Sequence, residues 1–154
     1  MDYLFMKWLH VLSSTILFGT GIGTAFYLLV SSLSRDVALT AGVTRWVVRA
    51  DWLFTATTVV LQPATGLWLA SRAGLPLGTT WIAWSLALYA VAIACWLPVV
   101  WLQMRLRDVA ARAHASGVAL DADYWKPFRW WFALGVPALA SFLVIFWLMI
   151  AKPA

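Results

Sequence analysis

Cysteine, histidine and charge are the scarce ingredients of this sequence. The single cysteine, Cys95, can close no internal disulfide and completes no CxxC or CxxCH pattern. With two histidines, one cysteine and scattered methionines, no residues converge at the spacing of a copper or zinc site. Charged residues are only 11% of the 154, against 64% hydrophobic, and the mean hydropathy is +0.85. A soluble fold of this size cannot hide so much apolar surface beneath a charged exterior, so a soluble enzyme is excluded, and so is disorder. The net charge of +5 does not mark a nucleic-acid binder, because the eleven basic residues are dispersed around apolar runs, where they act as topology determinants. A phosphate-binding loop, a catalytic triad, an internal repeat and a low-complexity tract are also missing. The N-terminus lacks a signal-peptide pattern: Asp2 opens it, Lys7 is the one basic residue ahead of an overlong apolar run, and no A-x-A-like site follows.

What the sequence has in abundance is unbroken apolar chain. Its eleven basic and six acidic residues all fall outside four runs: Trp8 to Ser34 (27 residues), Trp52 to Ser71 (20), Ala73 to Met104 (32) and Trp130 to Ala151 (22). A helix needs about 20 residues at about 1.5 Å each to cross about 30 Å of hydrocarbon, and every run suffices. A transmembrane barrel would show alternating segments of about 10 residues instead. The third run exceeds a span, and the Gly and Pro residues of 73–80 place a turn there, so the third helix starts near Thr80 or Trp81. At its other end no breaker occurs before Gly117, so the helix continues past the membrane, with Arg105, Asp108 and Arg112 spaced for ion pairs. The reading is one all-α domain over residues 1–154, a four-transmembrane-helix bundle with spans at about 8–30, 50–71, 81–104 and 130–151. A cytoplasmic helical extension and loop occupy about 105–129.

Most of the twelve tryptophans sit near span ends, as interfacial anchors do. Arg35, Arg45, Arg49, Arg105, Arg107, Arg112, Lys126 and Arg129 fall on one side of the bundle, and only Lys7, Arg72 and Lys152 on the other. Eight against three puts both termini in the periplasm of a bacterial inner membrane.

Depth then decides which polar residues can meet. His10 lies three residues beyond Lys7, and Met149 three short of Lys152; Gln62, Thr65, Ser85 and Tyr89 belong to the same outer half. At about 1.5 Å per residue, one pocket roughly 5 to 10 Å below the periplasmic boundary could hold them all. His10 is the sole histidine inside a span, where an unpaired ionisable group is costly. Its alternatives are a metal ligand, a structural histidine hydrogen-bonded to a neighbouring helix, at Gln62 for example, and a proton relay. If the metal is haem iron, Lys7 and Arg72 are available for the propionates and Met149 has the depth of a sixth ligand. Gln62, Thr65, Ser85 and Tyr89 would tune such a pocket or admit a quinone-like or tetrapyrrole partner.

The second span has the clearest polar stripe: Asp51, Thr55, Thr58, Gln62 and Thr65 share one helix face, which should look inward. Pro63 removes one bond from the helix ladder and collides with the carbonyl of Val59, while Gly66 and Gly135 ease close packing. Asp51 is expected to pair with Arg45, Arg49 or Arg129. Gly19 and Gly23 form a GxxxG pair on the first span, a face on which a second copy could pack.

Two resemblances add to this. Lys7-Trp8-Leu9-His10-Val11, Phe18-Gly19-Thr20-Gly21, Ala50-Asp51-Trp52-Leu53-Phe54-Thr55, Leu61-Gln62-Pro63-Ala64-Thr65-Gly66 and the Trp-rich fourth span resemble the domain of unknown function 2269 family, bacterial integral membrane proteins. That resemblance covers essentially the whole chain and implies a four-span membrane fold. The first span alone also resembles the HemJ-type protoporphyrinogen oxidases, through the Lys-x-x-His motif that Lys7 and His10 match. This second resemblance implies haem b ligated by His10. A lysine that those proteins carry early in the third helix has no counterpart near Ser85. The function expected is a haem b protein of the inner membrane taking part in electron transfer; the rival is an accessory or structural subunit without cofactor.

Overall fold

The computed structural model describes residues 2–153 and is helical throughout, with four helices long and apolar enough to cross a membrane. Helix α1 (Tyr3–Leu33) leads through a short corner to α2 (Val37–Ala50), which runs through one π turn (Asp51–Thr55) into α3 (Ala56–Arg72) without a break. Helices α4 (Thr80–Ser116) and α5 (Ala122–Ala151) complete the bundle. The helices outrun the apolar stretches that announce them. The second begins at Val37 and not near 50, because Arg45 and Arg49 interrupt hydropathy without interrupting helix. The fourth begins at Ala122, so most of the expected loop is helix too.

Local chemistry sets these boundaries. Three of the six aspartates are N-caps: Asp2 accepts from the Leu4 N–H, Asp36 from Leu39 and Asp121 from Asp123. Gly117, at φ +64°, closes α4 in the left-handed conformation that glycine adopts without strain.

The densest packing lies at the end of the bundle that carries α2 and most of the basic residues. There Leu28, Val47, Leu102, Leu106, Ala110, Tyr124 and Phe128 form a core, and the Tyr124 hydroxyl meets that of Ser32 at 2.6 Å. Toward the end that carries the chain termini the bundle divides: α1 packs on α3, and α4 on α5, with sparse backbone contact between the two pairs. The outward faces are apolar, with Leu4, Val60, Trp130 and Ile150 all more than 60% exposed, as lipid contact requires. The Gly19–Gly23 face meets nothing of this chain: a Cβ built at either position has no neighbour within 4 Å.

Candidate functional site

The division of the bundle leaves two cavities between the helix pairs, with His10 at one and Asp51 at the other. The outer cavity, nearer the termini, is about 350 Å³. Lys7, His10, Gln62, Ser85, Tyr89 and Met149 all line it, so the residues grouped by depth do meet. Thr65 stands behind His10. Arg72 does not join them: its guanidinium lies over the ring of Trp68, 5.4 Å from the centroid, because a helix-terminal arginine gains more on an aromatic face than inside an apolar cavity. Its place is taken by Lys152, which lines the cavity and lies over Trp81. The sequence places Lys152 on the same side as Lys7 and Arg72, three residues after Met149, but carries no sign that Lys152 and not Arg72 reaches the cavity.

His10 is held by α3. The Thr65 hydroxyl donates to the Leu61 carbonyl, 2.8 Å away, so it receives the proton of His10 Nδ1, also at 2.8 Å. His10 Nε2 is then an acceptor, and the Gln62 amide nitrogen lies 3.3 Å from it. The Gln62 side-chain oxygen in turn accepts from the Ser13 hydroxyl. Every bond runs in one consistent direction, with a neutral imidazole at its centre. Gly66 makes this possible: a Cβ there would stand 3.1 Å from His10 Cε1, so the ring's Cε1 edge approaches the α3 backbone where only hydrogen fits comfortably. The hydrogen bond between His10 and Gln62 that the structural alternative expects is present.

Pro63 has an identifiable consequence next door. It cannot donate to the Val59 carbonyl, and the Tyr89 hydroxyl, reaching across from α4, supplies the missing hydrogen bond at 2.6 Å. Tyr89 is therefore fixed in the cavity wall by a gap in another helix's ladder. It also packs edge-on against Phe142 of α5.

The inner cavity is about 410 Å³ and almost wholly apolar, with Leu17 and Phe142 shared with the outer one. Its polar residues are Thr24, Asp51, Thr55 and Gln103. The inward polar stripe is as expected: Asp51, Thr55, Thr58, Gln62 and Thr65 are all buried. The partner of Asp51 is not. Asp51 sits at the start of the π turn, 4% exposed, and accepts from the Thr55 hydroxyl at 3.0 Å. Among the described residues the one ion pair is Arg107–Asp108. Arg49 turns outward over Trp46 and Arg105 over Trp101, so neither the arginine partner of Asp51 nor the ladder of Arg105, Asp108 and Arg112 forms. The Asp51 carboxyl lies inside the bundle with the rest of the polar stripe, and among the described residues no arginine follows it there. Gly135 also departs from expectation, lining this cavity with open space at its Cβ and not a close helix contact.

Apolar outer faces and four helices fit to span a membrane, with partly open cavities between them, define an integral membrane protein of the helical-bundle class. Residues 4–153 match the family described as "Predicted integral membrane protein (DUF2269)", and the chain belongs to that family. No curated protein and no solved structure matches it. The likeness to HemJ-type proteins gains no support beyond Lys7 and His10. Among the described residues no group of three or more His, Cys, Asp or Glu side chains could hold a metal ion.

Proposed function

We propose that this is a binding protein of a bacterial inner membrane, its termini periplasmic, whose outer cavity takes an amphipathic molecule with an anionic head. The observation that carries this reading is the convergence of Lys7 and Lys152, neither paired with an acid among the described residues, at a cavity walled by Leu17, Phe142, Ile145 and Phe146. Two ammonium groups attract carboxylate or phosphate, the apolar walls take a hydrophobic body, and the excess of arginine at the opposite end supports the orientation.

Haem b is the member of this ligand class that the donor set suits. His10 would offer Nε2, exchanging the long contact from Gln62, a neutral hydrogen bond of about 1 kcal/mol. Met149 lines the same cavity, and the two lysines suit propionates. Bound haem would supply one-electron chemistry, with a quinone-like or tetrapyrrole molecule as partner. A second copy packed on the open Gly19–Gly23 face belongs to the same reading.

Purification from haem-replete cells tests this directly. The expected result is a Soret band with redox-sensitive α and β bands, lost in His10→Ala. Without a band, lipid extraction and mass analysis decide whether a quinone or acidic lipid is enriched over a Lys7→Gln/Lys152→Gln variant. If no band appears and nothing is enriched, the accessory-subunit reading replaces this one.

A further inference from the structure

The outer cavity leaves unused the place where, among the described residues, buried side-chain polar atoms lack partners. At one end of the inner cavity, the Asp51 carboxyl accepts from the Thr55 hydroxyl and has the Gln103 side chain beside it as a second, looser partner, and no basic residue pairs with it among the described residues. Gln103 of α4 lines the same cavity, only 5% exposed, and its side-chain oxygen Oε1 has no hydrogen-bond partner. A buried, unsatisfied carbonyl oxygen costs about 1–3 kcal/mol, and an unpaired carboxyl in an apolar surround costs more, so two such groups facing one space call for an occupant. Both are acceptors. What satisfies them must donate hydrogen bonds, and a positive charge answers the carboxylate.

The rest of the cavity specifies the occupant's body. Phe26, Trp96, Trp131 and Phe132 line its walls, and aromatic faces attract organic cations as well as apolar groups. A bare metal ion is a poor fit, since hard cations demand about six or more oxygen ligands. Trp96 Nε1 is likewise without a partner; it lies seven residues before Gln103, about 10 Å along the helix axis, and offers a donor to the far part of a ligand.

We propose that the inner cavity binds a protonated organic amine, its ammonium group donating to Asp51 and to Gln103 Oε1 and its apolar body lying among the aromatic rings. The site is built where the inward polar face of the second span meets α4, with Asp51 at the first residue of the π turn and Gln103 facing the same space. This site shares two wall residues with the His10 cavity but neither its charged groups nor its ligand class.

The test is equilibrium dialysis of the full-length protein in lipid nanodiscs with 1-naphthylmethylamine, protonated at neutral pH, against the uncharged 1-naphthalenemethanol. Wild type should bind the amine saturably and at least about tenfold more tightly than the alcohol, the scale of one desolvated ionic contact. Asp51→Asn should erase that preference, and Gln103→Leu should weaken amine binding several-fold. Gly135→Leu, which fills open space in the cavity wall without touching either acceptor, should abolish saturable binding and decides the matter even if Asp51→Asn fails to fold. Equal affinity for amine and alcohol, no saturable amine binding, or amine binding indifferent to Gly135→Leu would overturn the proposal. A Soret band plays no part in these readouts, so the two readings stand or fall separately.

Discussion

The two cavities are neighbours sharing Leu17 and Phe142, yet they treat buried polarity in opposite ways. Around His10, four side chains from two helices close a directed set of hydrogen bonds. Around Asp51, a threonine and the looser contact of Gln103 serve the carboxyl with no charge to answer it, while Gln103 Oε1 and Trp96 Nε1 have no partner. Polar residues in a membrane bundle therefore fall into two kinds, those that join helices and those held ready for something else. The sign of a mutation's effect on stability should tell them apart.

Gln62→Leu should show the largest effect. It removes the group that touches both His10 and Ser13; Ser13 keeps its bond to the His10 carbonyl, and His10 Nε2 is left unmet within hydrocarbon, at a cost of about 1–3 kcal/mol. Unfolding in mixed micelles of sodium dodecyl sulfate measures it, and a loss below about 0.5 kcal/mol would mean that the set is incidental. Asp51→Asn should act in the opposite direction. The amide can still accept from Thr55, while the unpaired charge is gone, so the ligand-free protein gains about 1 kcal/mol or more in the same assay. Destabilisation would place Asp51 with the structural kind and erase the contrast.

Tyr89→Phe sharpens the comparison within the outer cavity. It orphans the Val59 carbonyl and should cost about 1 kcal/mol. In a Pro63→Ala background the helix can serve Val59 itself, so most of that cost should vanish. A double-mutant cycle reads the difference as coupling, about 0.5–1.5 kcal/mol. Additivity would show that Tyr89 matters for some other reason.

Legibility in the sequence followed the same divide. The four spans and the polar face of α3 could be read because hydropathy and a 3.6-residue period leave direct marks. Depth alone grouped Lys7, His10, Gln62, Ser85, Tyr89 and Met149, and named Gln62 as a partner for His10. Apolar runs, however, report where lipid is and not where helix is, so the helical stretches 37–50 and 122–129 were missed even though Asp36 and Asp121 mark their starts with N-caps. The π turn had no sequence signal at all. It inserts a wider turn without a characteristic residue, and the pairing of Asp51 with arginine was inferred as if the helix were regular. Arg49, Arg72 and Arg105 all chose tryptophan faces over acids, an option that charge counting does not weigh.

The smallest difference is the most direct comparison of the two cavities, because it places the same methyl group in each. Helical glycine costs about 0.5–1 kcal/mol relative to alanine, so Gly→Ala should stabilise wherever a Cβ meets no obstacle. At Gly135, in the inner cavity wall, nothing lies within 4 Å of the new atom, and Gly135→Ala should gain most of that amount. At Gly66 the new atom stands 3.1 Å from His10 Cε1, so the ring must move by a few tenths of an ångström. That movement strains the Thr65 and Gln62 bonds on its two nitrogens, and Gly66→Ala should come out near neutral. The ring displacement has its own signature, a change in the imidazole nitrogen chemical shifts of His10 that Gly135→Ala does not produce. Equal gains at both glycines, with the His10 resonances unmoved, would mean that the imidazole is free to retreat and that the outer cavity is as loosely held as the inner one.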